Sequence, residues 1–263
     1  MLDFPNINPI AIDLGIIKIR WYAISYICGI LLSWFLILKI IKIKNVKVSD
    51  KSVSDLISNC MIGIIVGGRF GYVIFYNPEY YLNNLLEVFK IWNGGMSFHG
   101  GFIGVVIAVI YTCKSYKIPM MTFSDLISIV SPIGIFFGRI ANFINGELYG
   151  KITNHKYGII FPKGGSLPRH PSQLYEAFFE GLLLFIILWL LTKTSNILEK
   201  KGLITGCFIF LYGVFRFFVE ILREPDLHIG YLYFDLSMGQ LLSLPMILIG
   251  LYLINKFYGN IKI

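Results

Sequence analysis

Long apolar runs alternate with short polar segments along almost the whole chain. Each run has about 20 residues, which is the length that an α-helix needs to cross roughly 30 Å of hydrocarbon. The pattern predicts an all-α polytopic membrane protein in which residues 1–263 form a single transmembrane domain. The seven membrane-spanning helices are predicted near residues 20–41, 54–76, 97–113, 122–144, 172–192, 203–223 and 237–256.

The basic residues predict the orientation of these helices. Twelve lysines lie in the loops and at the span ends of one side, against eight lysines and arginines on the other. Cytoplasmic loops carry the excess of positive charge, so the first side is cytoplasmic. The N-terminus is then outside and the C-terminus cytoplasmic. The polar connection at 145–171, rich in Gly and Pro, forms a small extracytoplasmic head, a periplasmic cap within the same domain.

Composition narrows the class of protein. Of the 263 residues, 56% are hydrophobic and 14% charged, which is typical of a polytopic membrane protein. The net charge of +8 is spread over short loops, so we expect no nucleic-acid partner. The four cysteines lack metal-ligand or redox spacing, and no metal site is expected. Because the N-terminal segment has neither a basic region nor a cleavage site, the first span is expected to be retained.

The stretch GRIANFINGELYG at 138–150 carries the strongest sign of function. Arg139 lies inside the fourth predicted span, where a guanidinium is costly unless it is paired or meets an anion. Arg216 lies inside the sixth, and both arginines are then roughly 7–10 Å below the outer interface. Two cations at one depth repel each other unless anions lie between them. The pair therefore predicts an anion-binding site.

The helix face around Arg216 supports this interpretation but also allows a simpler one. Tyr212, Arg216 and Glu220 recur at intervals of four residues, and Arg223 follows on the same face. Glu220 could merely neutralise Arg216 and anchor helix packing, although that would not explain Arg139. Because a guanidinium binds phosphate through two parallel hydrogen bonds, we favour a phospholipid headgroup as the ligand.

Two further motifs open predicted spans. GGMSFHGG at 94–101 places His99 at the entrance of the third span. His99 suits a general acid or base, but the simpler interpretation is a glycine packing motif in which the histidine makes one structural hydrogen bond. LPRHPSQLYE at 167–176 opens the fifth span with more polar residues than helix capping requires.

Two other residues near the spans allow structural interpretations. Tyr22 is either an interfacial aromatic residue or part of the site. Arg69 is expected to pair with an acid. Since no chain-borne nucleophile motif is present, an enzyme of this kind would take its nucleophile from a substrate.

In combination, these segments resemble the signature of the prolipoprotein diacylglyceryl transferase family, in order and over nearly the whole chain. Ala141 stands where many members have glycine, so a small residue is kept. The resemblance implies a seven-helix, multi-pass enzyme of the bacterial inner (plasma) membrane with no metal or organic cofactor. The segments are RWYAISY (20–26), GGMSFHGG (94–101), GRIANFINGELYG (138–150), LPRHPSQLYE (167–176) and YGVFRFFVEILREPD (212–226).

The resemblance also implies a reaction between membrane lipid and protein. The family transfers the diacylglyceryl group of phosphatidylglycerol to the lipobox cysteine thiol of a prelipoprotein signal peptide, forming a thioether and releasing glycerol 1-phosphate. Arg139 and Arg216 would hold the phosphate, and His99 or another group would take the thiol proton. The substrate-binding residues implied are Tyr22, Gly100, Asn142, Asn145, Glu147, Gly150, Tyr212 and Glu220.

Two other classes of protein also fit part of the pattern. A small membrane transporter for an anionic substrate would place arginine and glutamate inside the membrane. Against it, the sequence has no internal repeat and its charges share one depth. A noncatalytic lipid-binding scaffold would explain the arginines but has less use for His99.

Overall fold

The computed structural model describes residues 2–5, 7–15, 18–193, 197–225 and 230–258. This part of the chain is mostly helical. Its α-helices are α1 (Trp21–Ile43), α2 (Asp50–Phe75), α3 (Pro78–Asn83), α4 (Phe98–Tyr116), α5 (Met120–Ile144), α6 (Ser172–Glu176), α7 (Leu184–Lys193), α8 (Leu203–Val219) and α9 (Met238–Tyr258). A π-helix at Ala177–Leu183 joins α6 to α7. The short strands are β1 (Leu2–Asp3), β2 (Ile10–Asp13), β3 (Lys18–Arg20) and β4 (Ile159–Ile160).

Six helices in the described residues are long and apolar enough to cross a membrane, counting α6, the π-helix and α7 as one continuous helix. The predicted all-α, multi-pass membrane character is confirmed. α8 is the shorter apolar helix of the set, with 17 residues. It ends at Val219, four residues before the predicted end at 223, because Glu220 begins a series of turns.

Contacts within the chain divide it into two compact units, residues 1–36 with 124–263 and residues 37–123. In the first unit, Asp125 of α5 fixes the start of α8. Its carboxylate accepts hydrogen bonds from the backbone N–H groups of Gly202 (2.6 Å) and Thr205 (2.8 Å) and from the Thr205 hydroxyl (2.7 Å). The first N–H groups of a helix have no partner within the helix, so this buried carboxylate acts as a helix cap supplied from another helix.

The first unit also carries small strands where α5 ends and α6 begins. β1 pairs in parallel with β4, Leu2 opposite Ile159, and β2 forms an antiparallel hairpin with β3 directly before α1. Phe4 packs against Phe143 and Phe161, with ring centroids 5.5 and 5.4 Å apart. The N-terminal segment therefore packs with the connection at 145–171, a partnership that the sequence pattern did not predict.

In the second unit, α2 and α4 pack closely through glycines. A Cβ atom added at Gly104 would lie 1.9 Å from the Gly63 carbonyl oxygen, and one at Gly100 would lie 2.2 Å from that of Gly67. No larger residue fits at these positions without separating the helices. The glycine-rich start of the third predicted span thus has a packing role.

Arg69, on α2 of the second unit, is bound differently from the way the sequence led us to expect. Its side chain is 4% exposed and lies over the ring of Tyr81. Within the described residues its hydrogen-bond partners are main-chain oxygens, and the expected acid is not among them. Its guanidinium donates to the carbonyl oxygens of Glu87 (2.5 Å), Val88 (2.7 Å), Gly94 (2.5 Å) and Gly95 (3.2 Å).

Candidate functional site

Three arginines and three glutamates meet inside the first unit. They come from α5, from the end of α6 and the π-helix that follows it, and from α8 and the turns after it. Glu176 and Glu180 are fully buried and Glu220 nearly so, whereas the Arg139 and Arg216 side chains keep 20% and 14% of their surface. We call this set the Arg–Glu network; its members are Arg139, Glu176, Glu180, Arg216, Glu220 and Arg223.

Glu176 is the centre of the Arg–Glu network. Its Oε2 atom lies 2.8 Å from Nε of Arg139 and 3.1 Å from Nη1 of Arg216. Nη1 of Arg223 lies 3.8 Å from the same oxygen. A buried carboxylate is tolerated where cations compensate its lost hydration, and here one oxygen atom connects three arginines from two regions of the chain.

Glu180 and Glu220 complete the charge balance. Glu220 Oε2 lies 2.6 Å from Nη2 of Arg216, one helical turn away. Glu180 is further from its partners, at 3.7 Å from Nη2 of Arg139 and 3.5 Å from Nη1 of Arg216. The sequence predicted that anions must lie between Arg139 and Arg216, and the protein's own carboxylates take that position.

The two central arginines retain hydrogen-bonding capacity. A guanidinium carries five N–H donors, and the ion pairs described above use Nε and Nη2 of Arg139 and the two Nη atoms of Arg216. In the described part of the chain, no ion pair joins Nη1 of Arg139 or Nε of Arg216 to a carboxylate. The network can therefore offer donors to an additional anion.

A cavity of about 180 Å³ adjoins one side of the network. Arg216, Glu220 and Arg223 contribute charged groups to its wall. Gly239, at the start of α9, allows close approach, since a Cβ atom there would lie 2.6 Å from the Glu220 carboxyl carbon. The remaining lining residues are Pro225, Gly230, Ser237, Met238 and Leu242.

Three of the residues predicted for the headgroup pocket stabilise the turn after α5. The amides of Asn142 and Asn145 donate to Oε1 of Glu147, at 3.0 and 3.2 Å. The Glu147 carbonyl accepts a hydrogen bond of 2.5 Å from the Gln173 amide. Because Gln173 is three residues before Glu176, this turn is connected to the helix that carries the centre of the network.

Gly150 allows two backbone segments to approach each other. A Cβ atom there would lie 2.5 Å from the Leu222 carbonyl oxygen and 2.7 Å from Cβ of His170. Gly150 also pairs with Arg223 through an isolated antiparallel bridge. Burial, with a smaller effect of His155, lowers the pKa of the neighbouring His170, so its imidazole is neutral near pH 7.

The two predicted tyrosines lie on α1 and α8. Tyr22 meets Tyr26 edge to face, with centroids 5.1 Å apart. Tyr212 stacks on Phe208 at 5.9 Å and is one helical turn before Arg216. Both side chains are partly buried, and their aromatic contacts fix the rings.

His99 and Gly100 belong to the second unit, where they are the second and third residues of α4. The Ser97 hydroxyl accepts a hydrogen bond of 3.2 Å from the Gly100 N–H and caps this helix. Gly100 packs against Gly67 and Gly71 of α2. His99 is exposed, and its ring meets Phe98 at 5.7 Å.

Sequence reasoning overlooked the two central carboxylates. The motif LPRHPSQLYE contains Glu176 but does not distinguish it from its polar neighbours, and no predicted motif contains Glu180. Its signal was nevertheless present, because a carboxylate within an apolar span is rare and marks a functional position by default. Glu180 also lies in the π-helix, and such helices occur often at functional sites.

The fold and the network define a multi-pass membrane protein with a partly buried network of ion pairs between arginines and glutamates. The family model for prolipoprotein diacylglyceryl transferase matches residues 9–256. This chain belongs to the prolipoprotein diacylglyceryl transferase family.

Curated relatives cover nearly the whole chain and carry the name phosphatidylglycerol–prolipoprotein diacylglyceryl transferase. The relative from Rickettsia felis is 53% identical over 253 residues, covering 96% of this chain and 98% of its own. The relative from Rickettsia bellii is 51% identical over 255 residues, covering 97% of each chain. The relative from Rickettsia akari is 52% identical over 253 residues, with 96% and 98% covered.

Proposed function

We propose that this protein transfers the diacylglyceryl group of phosphatidylglycerol to the lipobox cysteine thiol of a prelipoprotein. A thioether forms and glycerol 1-phosphate is released. Family membership supports the reaction class. The observation that carries the proposal is the Arg–Glu network, in which Glu176 holds Arg139 and Arg216 on one oxygen atom while each arginine keeps donors for a further anion.

In this proposal, Arg139 and Arg216 bind the phosphate of the lipid headgroup. Guanidinium groups match phosphate geometry and remain charged at any working pH. When the bond between the glyceryl carbon and the phosphate oxygen breaks, the leaving group gains negative charge. Donors already in place around that oxygen stabilise the transition state more than the bound lipid, and this difference accelerates the reaction.

The nucleophile comes with the second substrate. The cysteine thiol loses its proton to a general base, for which we propose His99, because the thiolate and not the thiol is nucleophilic. The sulfur then attacks the glyceryl carbon, and the electron pair of the broken C–O bond leaves with glycerol 1-phosphate. Each step balances without a redox partner.

The other predicted residues bind lipid or shape the pocket in this proposal. Asn142, Asn145 and Glu147 fix the turn after α5, and Gly150 lets that segment approach the end of α8. Tyr22, Gly100, Tyr212 and Glu220 position the lipid or the arginines. Gly100 acts by keeping α2 and α4 close together.

We place the protein in the bacterial inner membrane as one transmembrane domain of seven helices, with the N-terminus outside and the C-terminus cytoplasmic. The excess of lysine on one side supports this orientation. The connection at 145–171 is then a periplasmic cap, and the pairing of Leu2 with Ile159 is consistent with an external N-terminus.

The proposal is tested by incubating purified protein with phosphatidylglycerol and a lipobox peptide and analysing the peptide by mass spectrometry. We expect a diacylglyceryl adduct on the cysteine that requires both the lipid and the thiol. A peptide with Cys→Ser is the control and should stay unmodified. A lack of adduct from folded, inserted protein would contradict the proposed reaction.

A further inference from the structure

The two glutamates at the centre of the network have different surroundings. Glu176 makes short contacts through Oε2, at 2.8 Å to Arg139 and 3.1 Å to Arg216. Glu180 contacts the same two arginines only at 3.7 and 3.5 Å. Among the described residues, neither oxygen of Glu180 has a hydrogen-bond partner, although both are buried. One carboxylate binds the arginines directly, and the other acts on them through its charge.

The backbone around Glu180 brings it close to Arg139. Gly181 lies in the π-helix, and a Cβ atom there would lie 2.7 Å from Cβ of Phe136 on α5. Phe136 is one helical turn before Arg139. A π-helix is uncommon and occurs frequently at functional sites. This close contact places both glutamates beside the arginine of the neighbouring helix.

When the Glu180 carboxylate is ionised, its charge opposes the binding of an anionic lipid. A phosphate bound by Arg139 and Arg216 would be repelled by the nearby carboxylate, since charges interact strongly where water is excluded. The same repulsion would act more strongly on the product, because glycerol 1-phosphate carries more negative charge than the lipid phosphodiester. Glu180 would thus weaken lipid binding slightly and help the product to leave.

We infer that Glu176 and Glu180 are positioning residues for the phosphate-binding arginines, Glu176 by orienting both guanidinium groups and Glu180 by limiting their affinity for phosphate. This inference rests on the proposed function and adds two residues to it. It assigns the glutamates opposite effects: a defect at Glu176 weakens phosphatidylglycerol binding, whereas removal of the charge at Glu180 strengthens it.

Four variants distinguish the effect of side-chain length from the effect of side-chain charge. Glu176→Asp and Glu180→Asp keep the charge and shorten the side chain, and Glu176→Gln and Glu180→Gln keep the length and remove the charge. Glu199→Gln is the matched control, because Glu199 is an exposed carboxylate outside the network. Thermal unfolding in detergent identifies the variants that fold.

The readouts are KM and kcat for transfer, inhibition by glycerol 1-phosphate, and direct binding of phosphatidylglycerol by native mass spectrometry. Glu176→Asp should raise KM by about tenfold and lower kcat, since Arg139 loses a short ion pair and Arg216 a charge-assisted hydrogen bond. Glu180→Asp keeps the charge and should leave KM nearly unchanged. Glu180→Gln should lower KM by about threefold or more and strengthen product inhibition. Glu176→Gln should have a smaller defect than Glu176→Asp, because it keeps the side-chain length.

Glu180→Gln decides the inference even if Glu176→Asp does not fold, because it removes a buried charge without a change in size. Weaker binding of phosphatidylglycerol to Glu180→Gln would overturn the inference, as would an equal loss in the two Asp variants. Direct lipid binding separates this result from the reaction itself. If the wild-type protein binds phosphatidylglycerol but transfers nothing, the proposed function fails while the binding comparison still tests the two glutamates.

Discussion

Arginines within the helices of the two units are bound in contrasting ways. In the second unit, all three nitrogens of Arg69 donate to main-chain carbonyl oxygens, and the side chain is 4% exposed. In the first unit, Arg139 and Arg216 contact carboxylates and remain 20% and 14% exposed. The partners differ, and so does the number of N–H donors that remain for a ligand.

In the proposed function, this difference separates a structural arginine, Arg69, from the arginines that bind the phosphate. Carbonyl oxygens use the donors of Arg69 and connect the segment 87–95 to α2, which is a role in folding. Carboxylates orient Arg139 and Arg216 and neutralise part of their charge while some donors stay available. An intramembrane arginine alone therefore indicates little until its partners are known.

The largest expected effect follows from loss of the guanidinium shape at the network. Arg216→Lys keeps the charge but cannot bind two groups in parallel. We expect transfer to a lipobox peptide to fall by about 100- to 1,000-fold, as for removal of one donor to a developing anion. Arg20→Lys, at an exposed arginine of β3, is the control and should keep its rate. Full activity of Arg216→Lys would contradict the phosphate-binding role.

For Arg69 we expect a loss of stability as the primary effect. Arg69→Met leaves four carbonyl oxygens without their donor, and a partly buried polar group without a partner costs about 1–3 kcal/mol. The unfolding temperature in detergent should fall, and trypsin should cleave faster after Lys90, which lies in the released segment. An unchanged unfolding temperature together with unchanged cleavage would contradict a structural role for Arg69.

A smaller effect is expected where the connection at 145–171 meets the end of α8. Gly150→Ala places a Cβ atom 2.5 Å from the Leu222 carbonyl oxygen, and the backbone must shift to accept it. We expect about 1–3 kcal/mol of destabilisation, together with slower transfer, since Arg223 pairs with Gly150. Gly165→Ala is a useful reference, since Gly165 adopts a positive φ in open space and tests backbone strain without a clash. Equal effects on transfer would contradict a local role for Gly150.

The smallest effect concerns a carboxylate with a structural role. Asp125→Ala removes the cap of α8, and a lost helix cap costs about 0.5–2 kcal/mol. Asp125→Asn should cost less, because its single amide oxygen can still accept one of the two N–H bonds, which in the native protein go to separate carboxylate oxygens. Thermal unfolding compares the two variants. A larger loss for Asn than for Ala would show that Asp125 is not acting as a cap.

The apolar pattern predicted the helices well because membrane burial acts on local sequence. Six helices lie close to their predicted positions. The early end of α8 was missed because Glu220 and Arg223 fit a helical face, while the chain turns there to meet Gly150 and Lys151. The pairing of Leu2 with Ile159 could not be read from the sequence either, since no local pattern connects positions so far apart.

The sequence indicated the arginines of the Arg–Glu network more clearly than its glutamates. Arg139 and Arg216 stood out because a guanidinium within an apolar run requires an explanation. Their partners Glu176 and Glu180 depend on contacts between helices, which spacing along one helix cannot supply. For a related reason, the partners of Arg69 among the described residues are main-chain carbonyl oxygens instead of the expected acid, since every residue carries such an oxygen.

In the proposed function, Arg139 and Arg216 recognise the phosphate of the lipid headgroup. The most direct measurement compares binding of phosphatidylglycerol with binding of diacylglycerol, which lacks phosphate, by native mass spectrometry of the purified protein. The wild-type protein and Arg69→Gln should prefer phosphatidylglycerol, and Arg139→Gln and Arg216→Gln should lose that preference. An unchanged preference in folded Arg139→Gln and Arg216→Gln would contradict the account.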